Sequence, residues 1–377
     1  MVPSSPSGRT SEAAQRVIQW PGRAARSSND RVSGIVFRQV VDVDALTAWT
    51  DVLGETFTHD FVGLSANDVE EARPRLAGVV VDERFELWLG EVGGRPVAAG
   101  QLTLPLCDNL ETSEVEAYVR PTDRGQGHGG ELLELLLGRV RDHGRIRAIL
   151  EVPELPPPAG AEATPAQRLA RAAGARPVLR NVRRMLTGSD VTDETIADLR
   201  SEAERYGAGY ELVHWVDRAP ADLHDNLAAL MALMSTDVPL GELDWEPEAW
   251  DGARWAGKEQ LAIAQGRRRF ATAARELRTG RLVGYTDIGV NPRLPQYAYQ
   301  WDTIVAGAHR GHRLGLLMKA ANLQLMRASS PEVRWLNTWN AESNDHMIGV
   351  NDRLGFRPME RWIDWQLDLA SVPAPAR

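Results

Sequence analysis

The sequence predicts a mixed α/β fold that occurs twice along the chain. From Val36 onward, short apolar runs alternate with amphipathic stretches, which is the pattern of strands and helices packed around one sheet. The same pattern recurs at a fixed spacing later in the chain. A length of 377 residues is sufficient for two domains of ordinary size. Together these observations predict two tandem α/β domains.

The repeat is visible when the sequence is shifted by 186 residues against itself. Gly94-Arg95 then coincides with Gly280-Arg281, and each pair lies in the turn of a predicted hairpin. Further along, Arg124-Gly125 coincides with Arg310-Gly311. Agreement in one register across hairpins, strands and turns predicts a duplicated domain.

The predicted organisation has five parts. They are a flexible tail at 1–33, a first domain at 34–187, a linker at 188–209, a second domain at 210–370 and a tail at 371–377. The N-terminal tail is rich in Ser, Pro, Gly and Arg without sustained periodicity, and the linker is polar and helix-prone. Each domain is expected to close with its own last strand, at 182–186 and 363–369.

Charge and cysteine content exclude several functions. The net charge is −9 and the isoelectric point is near 5.5, whereas nucleic acids and anionic membranes require basic surface. The single cysteine, Cys107, excludes an internal disulfide and favours a reducing compartment. No apolar stretch is long enough to span a bilayer, and the N-terminus lacks the apolar core of a signal peptide. We therefore expect a cytoplasmic protein without nucleic-acid or membrane partners.

The most informative motif is a glycine-rich turn between a predicted strand and a predicted helix. In the first copy its residues are Arg124, Gly125, Gln126, Gly127, His128 and Gly129, and in the second Arg310, Gly311, His312, Arg313, Leu314 and Gly315. Such a turn directs several free N–H groups and the positive end of a helix at one point, and glycine lets a ligand approach the backbone. Both turns therefore predict binding of a pyrophosphate.

Other phosphate-binding folds fit these turns less well. A Rossmann fingerprint follows the first strand of its domain, whereas the first turn follows about four predicted elements. Neither turn ends in the Gly-Lys-Ser/Thr of a nucleotide triphosphatase. The histidines do not have the spacing of metal ligands, so no metal site is predicted.

Both turns resemble the signature of the GNAT acyltransferase superfamily, Gln/Arg-x-x-Gly-x-Gly/Ala, which precedes its central helix. The first copy matches in full, and the second matches at Arg310 and Gly315 but has Arg313 in place of the middle glycine. A second signature, an Asn-containing helix that ends in Leu-Gly-Phe, is similar to residues 340–356. The likeness covers residues 34–370 and is that of the tandem acyltransferases of actinobacteria, a group that includes mycothiol synthase.

The resemblance implies, for each copy, a mixed and mostly antiparallel sheet flanked by helices. The fourth and fifth strands of this sheet would splay apart to admit the pantetheine arm of acetyl-CoA. By their position in the motif, the backbone N–H groups of Val119 and Val305 would donate to the thioester carbonyl. In the second copy the resemblance adds Asn340 and Asn344 to the expected contacts with acetyl-CoA.

Acyl transfer to an amine also needs a group that accepts a proton. Glu116 and Asp302 occupy equivalent places, three residues before the two valines, so each is a candidate base. The superfamily often has a tyrosine where this chain has Asn351 and Ala170. Because a thiol with a pKa of about 8.5 leaves readily near neutral pH, catalysis does not require that tyrosine. Asn351 is expected to hydrogen-bond the sulfur or the pantetheine amides.

The second copy is expected to be the catalytic one. It has the fuller second signature, whereas prolines at 156–158 interrupt the corresponding region of the first copy. By resemblance the acceptor binds at the early helices and their loop, here 231–245, where Asp237 and Glu242 would attract a cationic amine. Trp301 is a candidate wall of that pocket.

These expectations define an N-acyltransferase that moves an acetyl group from acetyl-CoA to the amine of a small molecule by direct attack on the thioester. The acceptor would be a metabolite, an amino sugar or an antibiotic, and the protein would act as a monomer or homodimer. Two alternatives stay open. One is acetylation of a cysteinyl pseudodisaccharide, which the tandem plan suggests. The other is a non-catalytic acyl-CoA-binding or regulatory role, which Arg313 and the missing tyrosine suggest.

Overall fold

A computed structural model of the chain describes residues 34–157 and 162–369. Both predicted tails lie wholly outside these residues, as does the third proline of the run at 156–158. Residues 34–187 are called the first half below, and residues 188–369 the second half.

The first half contains seven strands and four α-helices within the described residues. In chain order these are β1 (Ile35–Gln39), α1 (Val43–Asp60), α2 (Val69–Ala72), β2 (Val79–Val80), β3 (Glu83–Val92), β4 (Arg95–Pro105), β5 (Thr112–Val119), α3 (His128–Asp142), β6 (Arg147–Glu154), α4 (Pro165–Ala172) and β7 (Arg176–Thr187). The predicted hairpin at β3 and β4 is confirmed, with Gly93 and Gly94 in its turn at φ 59° and 80°.

The second half repeats this order after one additional helix and, within the described residues, without a counterpart of β2. Its elements are α5 (Asp193–Glu204), β8 (Tyr210–Val216), α6 (His224–Ala232), α7 (Gly252–Ala264), β9 (Arg268–Glu276), β10 (Leu282–Val290), β11 (Tyr297–Val305), α8 (Leu314–Ser329), β12 (Trp335–Ala341), α9 (Asp345–Arg353) and β13 (Arg357–Asp368). Both amphipathic helices that follow the glycine turns, α3 and α8, are present as predicted.

The strands of the described residues form one continuous sheet. Its order is β1-β3-β4-β5-β6-β13-β7-β12-β11-β10-β9-β8, with β2 beside β3. The pairs β5–β6 and β11–β12 are parallel, and the other pairs are antiparallel. The predicted mixed, mostly antiparallel sheet flanked by helices is confirmed.

The two halves exchange their last strands, which corrects the expectation that each copy closes its own sheet. β13 pairs with β6 of the first half, and β7 pairs with β12 of the second half. Ile363, Trp365 and Leu367 accordingly pack in the core beneath α3, while Leu186 packs in the core beneath α8. β7 and β13 also pair with each other and join the halves. The halves therefore share one hydrogen-bonded sheet.

The predicted linker at 188–209 is built into the second half. It contains α5, whose Ile196 and Ala203 are fully buried against α8. Thr192 caps the helix by accepting from the N–H of Thr195. A helix with a buried apolar face is held by the core rather than free to act as a spacer. Among the helices of the described ranges, none has the length and apolar composition needed to cross a membrane.

Lys319 is a buried amine in the middle of α8. Its side chain is 2% exposed, and its Nζ lies 5.5 Å from the ring centre of Phe356. Burial lowers the pKa of this lysine to about 7. Between about pH 7 and pH 10.5, Lys319 is therefore protonated in the unfolded chain but neutral in the native protein. Because the unfolded state binds the additional proton, the free energy of unfolding rises with pH across that window.

Replacing Lys319 with methionine is expected to raise the free energy of unfolding near pH 7 and to remove this pH dependence. In the wild type, Lys319 is expected to make the free energy of unfolding rise by about 1.4 kcal/mol per pH unit inside this window. Urea unfolding at several pH values measures it. Lys258, the other lysine of the chain, is exposed, so Lys258→Met is the matched control and should leave the slope unchanged. An unaltered slope in Lys319→Met would contradict the assignment.

Candidate functional site

Each half has an opening where two parallel strands part. β5 and β6 pair only between Thr112–Glu114 and Arg147–Ile149, and they diverge beyond that point. β11 and β12 pair only between Tyr297–Tyr299 and Trp335–Asn337. The splay that the resemblance implied is therefore present in both halves.

A backbone N–H group is directed into each opening. The N–H of Arg120 donates to the carbonyl of Val97 at 2.9 Å, and that of Ala306 donates to Val283 at 2.9 Å. Because successive N–H groups of a strand point to opposite sides, the N–H of Val119 and that of Val305 face the splay. Both valines thus have the orientation that an oxyanion donor needs.

The two glycine turns have the same backbone conformation. Arg124 and Arg310 have φ, ψ of −69°, 160° and −70°, 160°. Gly127 precedes α3 at φ 95°, and Arg313 precedes α8 at φ 54°. A non-glycine residue is uncommon at positive φ. The guanidinium of Arg313 pairs with Glu202 and lies 3.9 Å from the ring centre of Tyr206, which holds this residue in place.

Free N–H groups line both turns. Within the described ranges, the N–H groups of residues 126–129 and 312–315 donate no hydrogen bond to the protein. They stand at the N-termini of α3 and α8, which are 15 and 16 residues long. This arrangement suits a pyrophosphate, because the donors and the helix dipole converge on one anion.

The arginine that begins each turn is hydrogen-bonded to the preceding strand and to a carboxylate. Arg124 Nε donates to the carbonyl of Val119 at 3.1 Å, and its terminal nitrogens bind Asp60 at 2.7 and 2.9 Å. Arg310 Nε donates to Val305 at 3.2 Å, and Nη2 binds Asp237 at 2.8 Å. The carboxylate of Asp237 is therefore engaged at the phosphate turn, so its expected role in binding the acceptor is not supported.

The space beside the turns differs between the halves. Gly315 is buried, yet a Cβ built on it meets no atom within 4 Å. In contrast, a Cβ on Gly129 meets Val119 at 3.6 Å and Leu169 of α4 at 3.8 Å. A buried glycine that faces open space lines a groove. The groove is thus open beside α8, whereas Leu169 lies against the corresponding glycine of α3.

Asn351 has an unsatisfied acceptor in the second half. It is 0% exposed, its Nδ2 donates to Asn340 Oδ1 at 2.6 Å, and its Oδ1 has no partner. Such a group needs a donor, since an unmade hydrogen bond in the interior destabilises the fold. Asn344 instead caps α9 by accepting from the N–H of Met347 at 3.1 Å, which gives it a structural role.

The two candidate bases differ in their environment. A β-bulge places Trp301 and Asp302 opposite Asp287, whereas β5 pairs with β4 in a regular register around Glu116. Glu116 accepts from Gln101 Nε2 and from the hydroxyl of Tyr118, each at 2.7 Å. Asp302 has no hydrogen bond or ion pair within the described residues. Its environment therefore leaves it free to accept a proton.

The pKa of Asp302 is raised by burial and by the neighbouring carboxylate of Asp287. Asp287 is fully buried, and its Oδ2 accepts from Arg269 at 2.8 and 3.1 Å. The second oxygen of Asp287 has no partner. A carboxyl group whose pKa lies closer to neutrality is better matched to general-base catalysis.

A loop of the first half covers the opening of the second half. Tyr299 donates to the carbonyl of Ser65 at 2.9 Å, and Asn337 Nδ2 donates to that of Gly63 at 2.7 Å. Tyr299 stacks on Trp301 and Trp339 at centroid distances of 5.6 and 6.4 Å. Trp301 stays 45% exposed on this surface beside Asp302, where it is available to a ligand.

Only the later part of the region predicted to hold the acceptor, residues 240–245, lies over the first half, which corrects the expectation for Glu242. Glu242 donates its N–H to Val178 at 2.9 Å and pairs with Arg176, both on β7. The N–H of Glu246 donates to Asn109 Oδ1 at 2.7 Å. Glu242 thus contacts the exchanged strand and lies away from the opening at Asp302. Each half receives its covering loop from the other.

Sequence reasoning missed the groups that come from the opposite half, notably Ser65. Nothing in the local pattern of residues 61–68 indicates a contact with β11, since the two segments are more than 200 residues apart. Asp287 was also missed. Its position opposite Asp302 in the predicted sheet was the available signal, but the bulge at Trp301 and Asp302 has no sequence signature.

Comparisons with known proteins identify the fold. No family model matches the chain, and no curated protein matches it. Among solved structures, the chain is similar to a tandem GNAT protein from the clavulanic acid biosynthesis pathway, with 27% identity and a TM-score of 0.73 over 90% of this chain and 100% of that one. A GCN5-related N-acetyltransferase from Sphaerobacter thermophilus gives 16% identity and a TM-score of 0.60 over 89% and 96% of the two chains.

A third similar structure is a fungal GCN5-related glucosamine N-acetyltransferase region, with 15% identity and a TM-score of 0.60. It matches 88% of this chain and 38% of the fungal one. The likeness to the last two structures concerns the fold alone. The resemblance to tandem GNAT proteins that the two turns suggested is confirmed.

Proposed function

We propose that this chain, which has the tandem GNAT fold, is an acyl-CoA-dependent N-acetyltransferase whose catalytic site lies in the second half. Acetyl-CoA is the donor substrate, and the acceptor is the primary amine of a small molecule. The observation that carries the proposal is the combination, at one opening, of an unpaired carboxyl group at Asp302 and a free N–H at Val305. The first half lacks the unpaired base at the equivalent position, because Glu116 is hydrogen-bonded through both oxygens.

The donor fits the second half through three features. The free N–H groups of residues 312–315 would hold its pyrophosphate, and the groove beside Gly315 would admit its pantetheine arm. The unpaired Oδ1 of Asn351 would accept a hydrogen bond from an amide of that arm. Arg310 would contribute charge near the phosphates while Asp237 holds it in place.

The reaction follows from these positions. Asp302 takes a proton from the ammonium of the acceptor, directly or through one water, and leaves a neutral amine. The amine nitrogen forms a bond to the acetyl carbonyl carbon, and the carbon–sulfur bond breaks. The N–H of Val305 stabilises the negative charge that develops on the carbonyl oxygen. The thiolate leaves without a dedicated acid, since its pKa of about 8.5 is close to neutral pH, and it takes up the second proton that the acceptor nitrogen loses as the amide forms.

Release of free thiol from acetyl-CoA across an amine panel tests the proposal. The panel should include amino sugars, aminoglycosides and a cysteinyl pseudodisaccharide, and amide formation should be verified by mass. We expect turnover with at least one amine. Binding of acetyl-CoA without turnover on any acceptor would support a regulatory role instead, and absence of any acyl-CoA binding would contradict both.

Replacing Gly315 with leucine is expected to weaken acetyl-CoA binding by about tenfold or more, since the new side chain enters the groove. Gly315 lies inside α8 at an ordinary helical φ, so leucine is compatible with its backbone. Calorimetric titration with acetyl-CoA measures the effect. Gly138→Leu is the matched control, because Gly138 is also helical, lies on α3 away from the turn and has open space beside it. Equal affinity in both variants would contradict the assigned groove.

A further inference from the structure

Arg267 lies beside the opening of the second half, in the short connection between α7 and β9. Its guanidinium carbon is 5.5 Å from the ring centre of Trp301, the exposed residue that precedes Asp302. The side chain of Arg267 is itself 21% exposed. Arg267 therefore presents a positive charge on the surface across which an acceptor would approach the candidate base.

The protein uses only one edge of this guanidinium. Arg267 Nε forms an ion pair with Glu71 Oε1 of the first half. Within the described ranges, the terminal nitrogens Nη1 and Nη2 donate no hydrogen bond. Two parallel N–H groups at the end of a guanidinium match the two oxygens of a carboxylate. The free edge of Arg267 is therefore suited to a planar anion.

A buried network holds Arg267 in this position. Glu71 is 5% exposed, and its second oxygen accepts from Asn291 Nδ2 at 2.7 Å. Asn291 also donates to Asp68 at 2.6 Å, and Arg293 Nε binds the same carboxylate at 2.9 and 3.0 Å. Because the carboxylate that holds it is fixed, Arg267 loses little conformational freedom when it binds a ligand. Both halves contribute to this network, so the position of the guanidinium depends on the tandem arrangement.

A second cation lies on the same side of the opening. The ammonium of Lys258 is 4.6 Å from the ring centre of Trp250, and within the described residues it forms no ion pair. Its charge acts on Asp302, where it opposes the rise in the pKa of that carboxyl group. An acceptor with several ammonium groups would place the additional ones against Lys258 and Arg267. The surface therefore favours an acceptor that carries an acidic group beside its amine.

The two cations and the indole are particular to the second half. The offset of 186 residues places Ala72, Val81 and Val115 at the positions of Lys258, Arg267 and Trp301. The glycine turn and the acid on the strand recur in both halves, whereas these three side chains do not. Such a difference is expected of residues that select the acceptor rather than hold the donor.

We propose that the acceptor is an amine that also carries a carboxylate, and that Arg267 selects it through a bidentate ion pair. The amine would lie at Asp302, the carboxylate at Nη1 and Nη2 of Arg267, and the apolar skeleton between them on the indole of Trp301. This inference rests on the proposed function, since it names the acceptor of the same site. It narrows the acceptor to amino acids and related aminocarboxylates.

Acetyl transfer to matched acids and amides tests the inference. The acids are glycine, 4-aminobutanoate, 6-aminohexanoate, L-leucine and L-phenylalanine, and each is compared with its carboxamide, which has nearly the same shape without the charge. We expect kcat/KM for at least one acid to exceed that for its amide about tenfold or more, because the amide lacks the charge-assisted pair.

The outcomes separate this inference from the proposed function. Amides that react as well as the acids throughout the series would overturn the inference and leave acetyl transfer intact. Turnover confined to amino sugars or aminoglycosides would do the same. Absence of turnover with every amine would contradict the proposed function, and this inference with it.

Two variants locate the carboxylate. Arg267→Gln should lower kcat/KM for the preferred acid about tenfold or more, mainly through KM, and should leave the value for its amide nearly unchanged. Arg267→Lys keeps the charge beside Glu71 but lacks the fork, so its preference for the acid should be intermediate. Thermal unfolding verifies that each variant is folded. An equal loss for acid and amide in Arg267→Gln would indicate a structural role and overturn the assignment.

Arg268→Gln is the matched control. Arg268 is exposed at the next position of the chain, and its Nε also pairs with a carboxylate, that of Asp217 after β8. This variant should keep the wild-type preference for the acid. A loss of preference as large as that in Arg267→Gln would show that the charge of the segment, and not the guanidinium at Trp301, selects the acceptor.

Discussion

Replacing Asp302 with asparagine is expected to lower the turnover number for acetyl transfer about 100-fold or more, the usual effect of losing a general base. The amide has nearly the same shape but cannot accept a proton from the ammonium of the acceptor. Acetyl-CoA affinity should change little, because Asp302 lies on the strand and not at the phosphate turn. Steady-state rates with the best amine of the panel, together with calorimetry for acetyl-CoA, separate the two quantities.

The wild-type rate should also depend on pH in a defined direction. Burial and the neighbouring Asp287 raise the pKa of Asp302, and only the ionised form accepts a proton. The rate should therefore rise as the pH increases through a value above the ordinary range for aspartate. Asp198→Asn makes the same chemical change on the exposed face of α5 and should leave the rate unaltered.

The variant Glu116→Gln tests the division of labour between the halves. Both oxygens of Glu116 are already hydrogen-bonded, so turnover should persist when its charge is removed. Loss of turnover in Glu116→Gln with retention in Asp302→Asn would place the chemistry in the first half. Loss in neither variant would contradict a carboxylate base in this protein.

Expression of residues 188–377 alone is expected to yield no cooperatively folded protein. Without the first half, β12 loses its neighbour β7, and β13 loses both β6 and β7. Ile363, Trp365 and Leu367 would then lack the core in which they are buried. Each large apolar side chain contributes about 1.5–3 kcal/mol when buried, against a total stability of about 5–15 kcal/mol for a typical domain.

Co-expression of residues 1–187 with residues 188–377 is the matched control. The two pieces carry all the strands of the shared sheet, so they should associate and unfold as one unit. Circular dichroism during urea unfolding measures both samples. A cooperative transition for 188–377 alone, at a stability similar to that of the full chain, would show that strand exchange is not required for folding.

Local sequence was sufficient to predict the repeated elements and the phosphate turns. A glycine turn before an amphipathic helix is determined by residues close together in the chain, and it was found in both halves. Arg313 is the exception, because it stands where the first half has a glycine and is held by residues more than 100 positions earlier in the chain. Its positive φ is held by Glu202 of α5 and by Tyr206 just after that helix, and the turn keeps the conformation that Gly127 gives in the first half.

Strand exchange and the covering loops could not be predicted in this way. β7 and β13 are equivalent elements with similar patterns, so the sequence does not indicate whether each pairs within its own half. The same ambiguity applies to residues 61–68 and 236–251. These loops mix polar and apolar residues without a period, so the sequence does not indicate that each lies over the opposite half. Glu242 was assigned to the wrong opening for this reason.

The different environments of Glu116 and Asp302 could not be predicted from the sequence either. A single offset aligns the two acids, yet one extra residue in β11 produces the bulge at Trp301 and Asp302. Glu116 is held by Gln101 and Tyr118, whereas Asp302 is left unpaired. One inserted residue therefore distinguishes an acid bound within the sheet from a candidate base.

A crystal structure of the protein with acetyl-CoA tests the central claim most directly. The proposal predicts density for the pyrophosphate at the N–H groups of residues 312–315, with the thioester carbonyl at the N–H of Val305 and its carbon facing Asp302. Density at residues 126–129 of the first half alone, with the groove beside Gly315 empty, would contradict it.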